Sequence, residues 1–192
     1  MSIRWLLALE NENSAIITTS FNTYKWPEKT LIDLYRMHTY DIGNLKSRNI
    51  MLIAKHTVKT SASPADIWNI WQNVTEWNTW DHGTEFSSIE GAFEVKTTGR
   101  LKPKGGPLVK IILTQVEPLK MFTCESKLFL SKIIVSHYLR KSDDKTEVTH
   151  QIEMTGFLKF LFAFLIGRQM KKNLPTDLLS LIKKAESLDF HQ

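Results

Sequence analysis

The sequence predicts an α+β fold in which one antiparallel sheet is covered by a single long terminal helix. Three observations predict it. Strand-like runs separated by turn signals fill most of residues 53–154; a tryptophan-rich pair of capped helices interrupts them; helical spacing takes over after Gly156. Consecutive strands followed by a helix pack as two layers, with the helix on one face of the sheet.

The first strand spans residues 53–59 and stops at Ser63-Pro64. Ser63 is a good N-cap, Pro64 suits the first helical position, and Asp66 is placed to close a capping box. The helix that starts there carries Ile67, Ile70, Trp71 and Val74 on one face. Asn73, with Glu76 three residues on, predicts a second capped helix leading through Trp77 to Trp80. The two helices hold four tryptophans within thirteen residues and are too short to stand alone, so they must lie on a larger surface.

Further strands are expected at residues 93–101, 109–116, 121–128, 133–140 and 147–154. Turn signals separate them at Glu90-Gly91, Lys104-Gly105-Gly106-Pro107, Glu117-Pro118 and Ser142-Asp143-Asp144. Such spacing means sequential antiparallel hairpins, about six to seven strands in all. Gly156 ends the last strand, and residues 157–188 have helical spacing, with Leu174, Leu178, Leu181, Ile182 and Ala185 on one face. Pro175 is expected to kink or restart that helix, because it lacks the donor for the preceding turn.

Composition bounds the rest. A chain of 192 residues, 42% hydrophobic and 23% charged, fits one ordinary domain plus an appendage. The single cysteine, Cys124, forbids an internal disulfide and points to a reducing cytoplasm. The opening MSIRWLLALENEN lacks a small-residue cleavage pattern, and the longest apolar run, residues 160–167, is far short of the roughly 20 needed to span a bilayer. A net charge of +5 is mild, its lysines are scattered among acids, and no aromatic platform lies in a basic stripe, so no nucleic-acid partner is expected. Gly105-Gly106-Pro107 has no following helix or Lys-Ser/Thr pair, and no nucleophile elbow or carboxylate pair appears. No cofactor is called for.

Residues 1–50 read as an N-terminal extension, with a helical turn or two at Leu31, Leu34, Tyr35 and His38 and no motif. Met51, directly before a strand, is a candidate start for the functional domain, residues 51–192.

Several segments together carry a resemblance. They are SASPADIWNIWQNVTEWNTW, Gly99, Val116-Glu117-Pro118, Lys145-Thr146-Glu147-Val148, Met154-Thr155-Gly156 and the closing LLSLIKKAE. Their order and spacing, over about residues 52–187, resemble the START-like superfamily with the Bet v 1 or helix-grip fold (SRPBCC), in its polyketide cyclase/dehydrase and lipid-transport branch. The resemblance implies a curved antiparallel sheet wrapped around the terminal helix and an apolar cavity for a hydrophobic ligand.

The final hairpin can be registered from sequence. With Asp143-Asp144 at the centre of a two-residue turn, Arg140 lies opposite Glu147, Leu139 opposite Val148, His137 opposite His150 and Val135 opposite Ile152. One face is then apolar except for two histidines, which point inward, while Arg140 and Glu147 form a cross-strand ion pair outside. A preceding turn at Leu130-Ser131, though poor turn chemistry, would set Cys124 beside His137. Cys124, His137 and His150 have the ligand types of an open zinc site, but a buried cysteine usually acts as a small hydrophobe and inward histidines hydrogen-bond, so no metal is assigned.

The candidate ligand-binding residues are Trp71 and Trp80 as cavity wall or mouth, Phe93 and Val95 on the strand run that starts there, Cys124, His137, His150 and Ile152 on the last strands, and Phe160 and Phe164 on the terminal helix. For the tryptophans, plain core packing is the competing reading. FLKFLFAFLIG, residues 157–167, is apolar almost all round and must be buried or face a ligand or membrane; Phe160, Leu161 and Phe164 are expected to close the cavity. Arg168, Lys171 and Lys172 follow at once and permit weak contact with anionic lipid. Two functions fit: a carrier or sensor for a hydrophobic small molecule or lipid, and a cyclase or dehydratase in which His137 or His150 moves protons. Without a decisive acid-base constellation, binding is the favoured reading.

Overall fold

The computed structural model describes residues 6–11, 14–19, 22–25 and 50–189. The chain divides into two compact units, Met1–Asn49 and Ile50–Gln192. In the first, β1 (Leu6–Asn11), β2 (Ser14–Thr19) and β3 (Asn22–Lys25) form a three-stranded antiparallel sheet in that order. The helical turn expected around Leu31–His38 lies outside the described residues.

The second unit begins with β4 (Met51–Thr60). Ser63, in extended backbone, caps α1 (Pro64–Gln72): its hydroxyl accepts from the Asp66 amide at 3.2 Å. The Asp66 carboxylate in turn accepts from that hydroxyl, so the box closes on the side chain of Ser63. Ile67, Trp68, Ile70 and Trp71 are all buried. The second helix is a 3₁₀ segment, Val74–Thr79, and its start differs from the expected cap. Asn73 offers its backbone carbonyl to the Glu76 amide at 3.0 Å, while its side chain accepts from Thr75; Glu76 reaches Lys184 instead, at 2.7 Å.

Six strands complete the sheet: β5 (Thr84–Ile89), β6 (Thr98–Pro103), β7 (Val109–Glu117), β8 (Met121–Leu128), β9 (Ser131–Ser142) and β10 (Lys145–Gly156). All pair antiparallel in the order β4-β10-β9-β8-β7-β6-β5, and the seven-stranded sheet curls into a half barrel. Sequence reading missed β5, whose Thr84, Glu85, Ser87 and Ser88 give little apolar alternation, and it began the next strand five residues early, at Phe93 in place of Thr98. An edge strand pairs on one side only, so backbone bonding and a few anchors suffice; the buried Ser87 hydroxyl donates to the Val74 carbonyl at 2.6 Å.

The β9-β10 hairpin has the expected register. Asp143-Asp144 is the turn, with Asp143 at φ 52°, and His137 faces His150 while Val135 faces Ile152. Glu147 nevertheless takes its ion pair from Lys59 of β4, at 3.2 Å, because it has a neighbour on each side and the lysine reaches it. The preceding turn sits one residue earlier than expected, at Phe129-Leu130, with Leu130 at φ 51° and Leu128 opposite Ser131. That step sets Cys124 opposite Val135 and puts Phe122, not Cys124, across from His137.

The terminal helix follows Gly156, whose φ of 102° no L side chain adopts easily. It consists of α2 (Lys159–Phe162), a π-helical turn (Ala163–Gly167) and α3 (Arg168–Asp189). Pro175 neither ends nor restarts it: α3 runs through. Leu174, Leu178, Leu181, Ile182 and Ala185 are buried, as their spacing predicts. Leu178, Leu181, Ile182 and Ala185 meet the inward residues of the sheet, among them Ile111, Leu113, Phe122, Leu139 and Val148, and the tryptophans of α1 and the 3₁₀ segment, while Leu174 packs with Ala54 and Ile152 in an adjoining group.

Candidate functional site

The centre of the core is aromatic rather than aliphatic. Phe122 of β8 and His137 of β9 are stacked face to face, 3.9 Å between centroids and 5° between planes. His150 of β10 stands edge-on to His137 at 4.3 Å. Trp71 closes this group from the helical side, 5.3 Å from Phe122, 5.5 Å from His137 and 5.8 Å from His150. Trp80, at the end of the 3₁₀ segment, lies 5.8 Å from His150. The sequence dictates this meeting locally: strand alternation turns 122, 137 and 150 inward, and the cap at Ser63 fixes the helix phase that turns Trp71 toward them.

The polar atoms of this cluster are unusual. Trp77 donates its indole N–H to the Trp71 carbonyl at 2.9 Å. In contrast Trp71 Nε1, Trp80 Nε1, His137 Nδ1 and His150 Nε2 are buried without a hydrogen-bond partner. A buried polar group left unpaired costs about 1–3 kcal/mol, and native interiors contain few of them. Four on adjoining rings mark a place where polar atoms from elsewhere are expected.

Electrostatics hold both imidazoles neutral. Burial, reinforced by the neighbouring His150, pushes His137 well below the usual histidine range, against the opposing effect of a hydrogen bond to the Phe122 backbone. Burial, with His56 on β4 adding to it, lowers His150 to about 3. The Cys124 thiol is pushed up to about 12, first by burial and then by the charge of Asp81, so it is a small apolar group and no nucleophile. No group of three or more His, Cys, Asp or Glu side chains with metal-binding geometry occurs among the described residues.

The remaining candidates divide. Phe93 is half-buried against the cluster, 5.1 Å from Phe122 and 5.7 Å from Trp68, and Ile152 packs with Ala54 and Leu174 in an adjoining group. Val95 is 46% exposed. Phe160 and Phe164 are 68% and 66% exposed, so they do not close the interior as expected. Trp71 and Trp80, read as wall or mouth, are themselves within the core, 0% and 3% exposed. Rings therefore fill the space where an open cavity was expected. A depression of ≈ 240 Å³ lined by Glu90, Gly99, Arg100, Leu108, Val109 and Lys110 shares no residue with the cluster.

Sequence reasoning missed Phe122, which the misplaced turn hid, and a partly buried polar group beside the cluster. There His82 bonds Asp177 of α3 through its Nδ1 at 2.9 Å and its amide at 3.0 Å. Asp81 accepts from the Gly83 amide and the Thr84 hydroxyl, and burial raises its carboxyl pKa. The Trp80-Asp81-His82-Gly83 sequence, an exit turn rich in hydrogen-bonding groups, was the available signal.

No protein-family model matches the chain, and no curated protein matches its sequence. Solved structures do match. A hypothetical protein of Helicobacter pylori superposes with a TM-score of 0.60 at 13% identity, over 71% of this chain and 88% of that one. The Zhui aromatase/cyclase of a Streptomyces species gives 0.55 at 13% identity, over 71% and 94%. Norcoclaurine synthase of Thalictrum flavum, determined with a transition-state analogue, gives 0.57 at 13% identity, over 73% and 96%. The curled sheet gripping a terminal helix is thus the START-like, Bet v 1-like fold. Within it, this chain is similar in fold to polyketide aromatase/cyclases and to Bet v 1-type proteins.

Proposed function

We propose that this protein binds a hydrophobic small molecule whose compact polar end exchanges hydrogen bonds with Trp71, Trp80, His137 and His150. The observation that carries this reading is the convergence of four unpartnered buried polar atoms on touching rings. Two of them, the indole N–H groups, are obligate donors, so the ligand end must offer an acceptor such as a carbonyl or hydroxyl oxygen. The neutral imidazoles supply a donor or an acceptor according to tautomer. The apolar body of the ligand would replace ring-to-ring contacts with ring-to-ligand contacts as the indoles shift aside, so burial drives binding and the polar atoms give orientation.

An enzyme reading draws on the aromatase/cyclases and the synthase that share the fold. Against it, an imidazole at about 3 is a weak base at neutral pH and donates no proton there as an imidazolium. Binding without chemistry therefore suits this site better.

Native mass spectrometry of the full chain purified from its own host tests the proposal. The expected spectrum shows a one-to-one adduct with an apolar molecule, lost when Trp71→Phe and Trp80→Phe remove both indole donors but keep the aromatic packing. Absence of an adduct from the unmodified chain, or its survival in the double variant, would overturn the proposal. A chemically altered molecule released on incubation would move the assignment to catalysis.

A further inference from the structure

We infer that the start of the terminal helix and the neighbouring hairpin tip form a docking surface for an anionic lipid bilayer. Phe157, Phe160, Leu161, Phe164 and Leu165 are 84%, 68%, 48%, 66% and 59% exposed. Phe157 lies in the turn just before the helix, and in sequence Phe160, Leu161, Phe164 and Leu165 have the spacing of one helix face, the pattern that normally buries a helix against a core. Here it faces away from the core. The π turn at Ala163–Gly167 contributes to the inversion: its extra residue rotates the preceding Phe160 and Leu161 by about 100° relative to Leu174 and Leu178, and Phe164 and Leu165 lie within the widened turn itself.

A second element extends the surface. At the tip of the β8-β9 hairpin Phe129 and Leu130 are 73% and 58% exposed, and the Leu130 carbonyl accepts from the Phe157 amide at 2.9 Å, so tip and helix start are adjacent. A contiguous patch of large apolar side chains on this scale marks an interaction site.

Charge chooses the occupant. No Asp or Glu occurs from Met154 to Thr176, whereas Lys159, Arg168, Lys171 and Lys172 fall within that segment. Lys127 and Lys132 flank the hairpin tip, Lys132 also bonding Glu125 at 3.0 Å. Lys159 lies over the Phe160 ring at 5.2 Å, an arrangement that keeps the ammonium at the edge of an apolar body. Protruding phenylalanines bordered by cations of one sign match a bilayer interface, with acyl chains below and anionic headgroups at the rim. A protein partner would need acidic residues to meet the same rim and a groove to hold the stripe.

Cosedimentation of the full chain with phosphatidylcholine vesicles, with and without phosphatidylserine, tests this directly. The expected result is sedimentation with the anionic vesicles only, reversed by salt. Lys171→Gln with Lys172→Gln should weaken it about 30-fold, from about 1 kcal/mol per basic residue. Phe160→Ser with Phe164→Ser should leave the chain in the supernatant at an unchanged thermal midpoint, since both rings are already mostly exposed. The inference is overturned if the unmodified chain ignores anionic vesicles, or if the phenylalanine variant sediments equally well. It is overturned too if ultracentrifugation shows a dimer that this variant dissociates, which would assign the surface to a second copy.

Discussion

Replacing His150 by leucine separates the stability of this core from its recognition chemistry. In the fold His150 protonates only near pH 3, whereas in the unfolded chain it takes a proton near the ordinary histidine value of about 6.5. Between those values the unfolded chain binds more protons, so acid favours unfolding. The contribution of His150 is fully present above about pH 6.5 and is lost as pH falls toward 3. From pH 7 to pH 5 the loss amounts to about 2 kcal/mol for this one group. His137 acts in the same direction, and Asp81, whose pKa is raised, acts in the opposite one by gaining stability as pH falls through its folded value. Comparison of His150→Leu with the unmodified chain subtracts both to first order. At pH 7 the variant should be at least as stable, because leucine is of similar bulk and removes a buried nitrogen that has no partner. At pH 5 it should gain about 2 kcal/mol relative to the unmodified chain. Urea unfolding followed by tryptophan fluorescence at both pH values measures this. Parallel pH dependences, or a variant destabilised by more than about 1 kcal/mol at pH 7, would refute the reasoning by showing that the imidazole is paired or accessible to water.

Two further perturbations probe the scaffold. Gly99→Ala would drive a Cβ into the Ser88 carbonyl, so β5 and β6 must separate; faster amide exchange confined to residues 84–103 would report it, and native exchange there would count against so close an approach. Leu178→Ala, at a fully buried position where α3 meets the core, should cost about 2–5 kcal/mol in chemical denaturation, and a loss below 1 kcal/mol would mean that the core collapses around the gap.

Local chemistry was legible wherever a strong backbone preference coincided with hydrophobic period. Ser63-Pro64 located α1, the acidic turn at Asp143-Asp144 set the β9-β10 register, and alternation through His137 and His150 turned both inward. The same logic failed where the chain gives no such agreement. Phe129-Leu130 makes a tight turn although leucine disfavours φ of 51°, because pairing on both flanking strands fixes the turn; the one-residue error hid Phe122 behind Cys124. The edge strand β5 went unread because an edge strand need not alternate.

By itself, then, the sequence determined the α+β class and the inward histidines, since each follows from spacing along a single segment. Only tertiary structure decided that Trp71 and Trp80 fill the interior instead of bordering an open cavity, and that their N–H groups lack partners. Both are outcomes of how separate elements meet. It also decided that Phe160 and Phe164 face outward, because the helix widens into a π turn at Ala163–Gly167, and the apolar spacing of residues 157–165 does not record that change of phase.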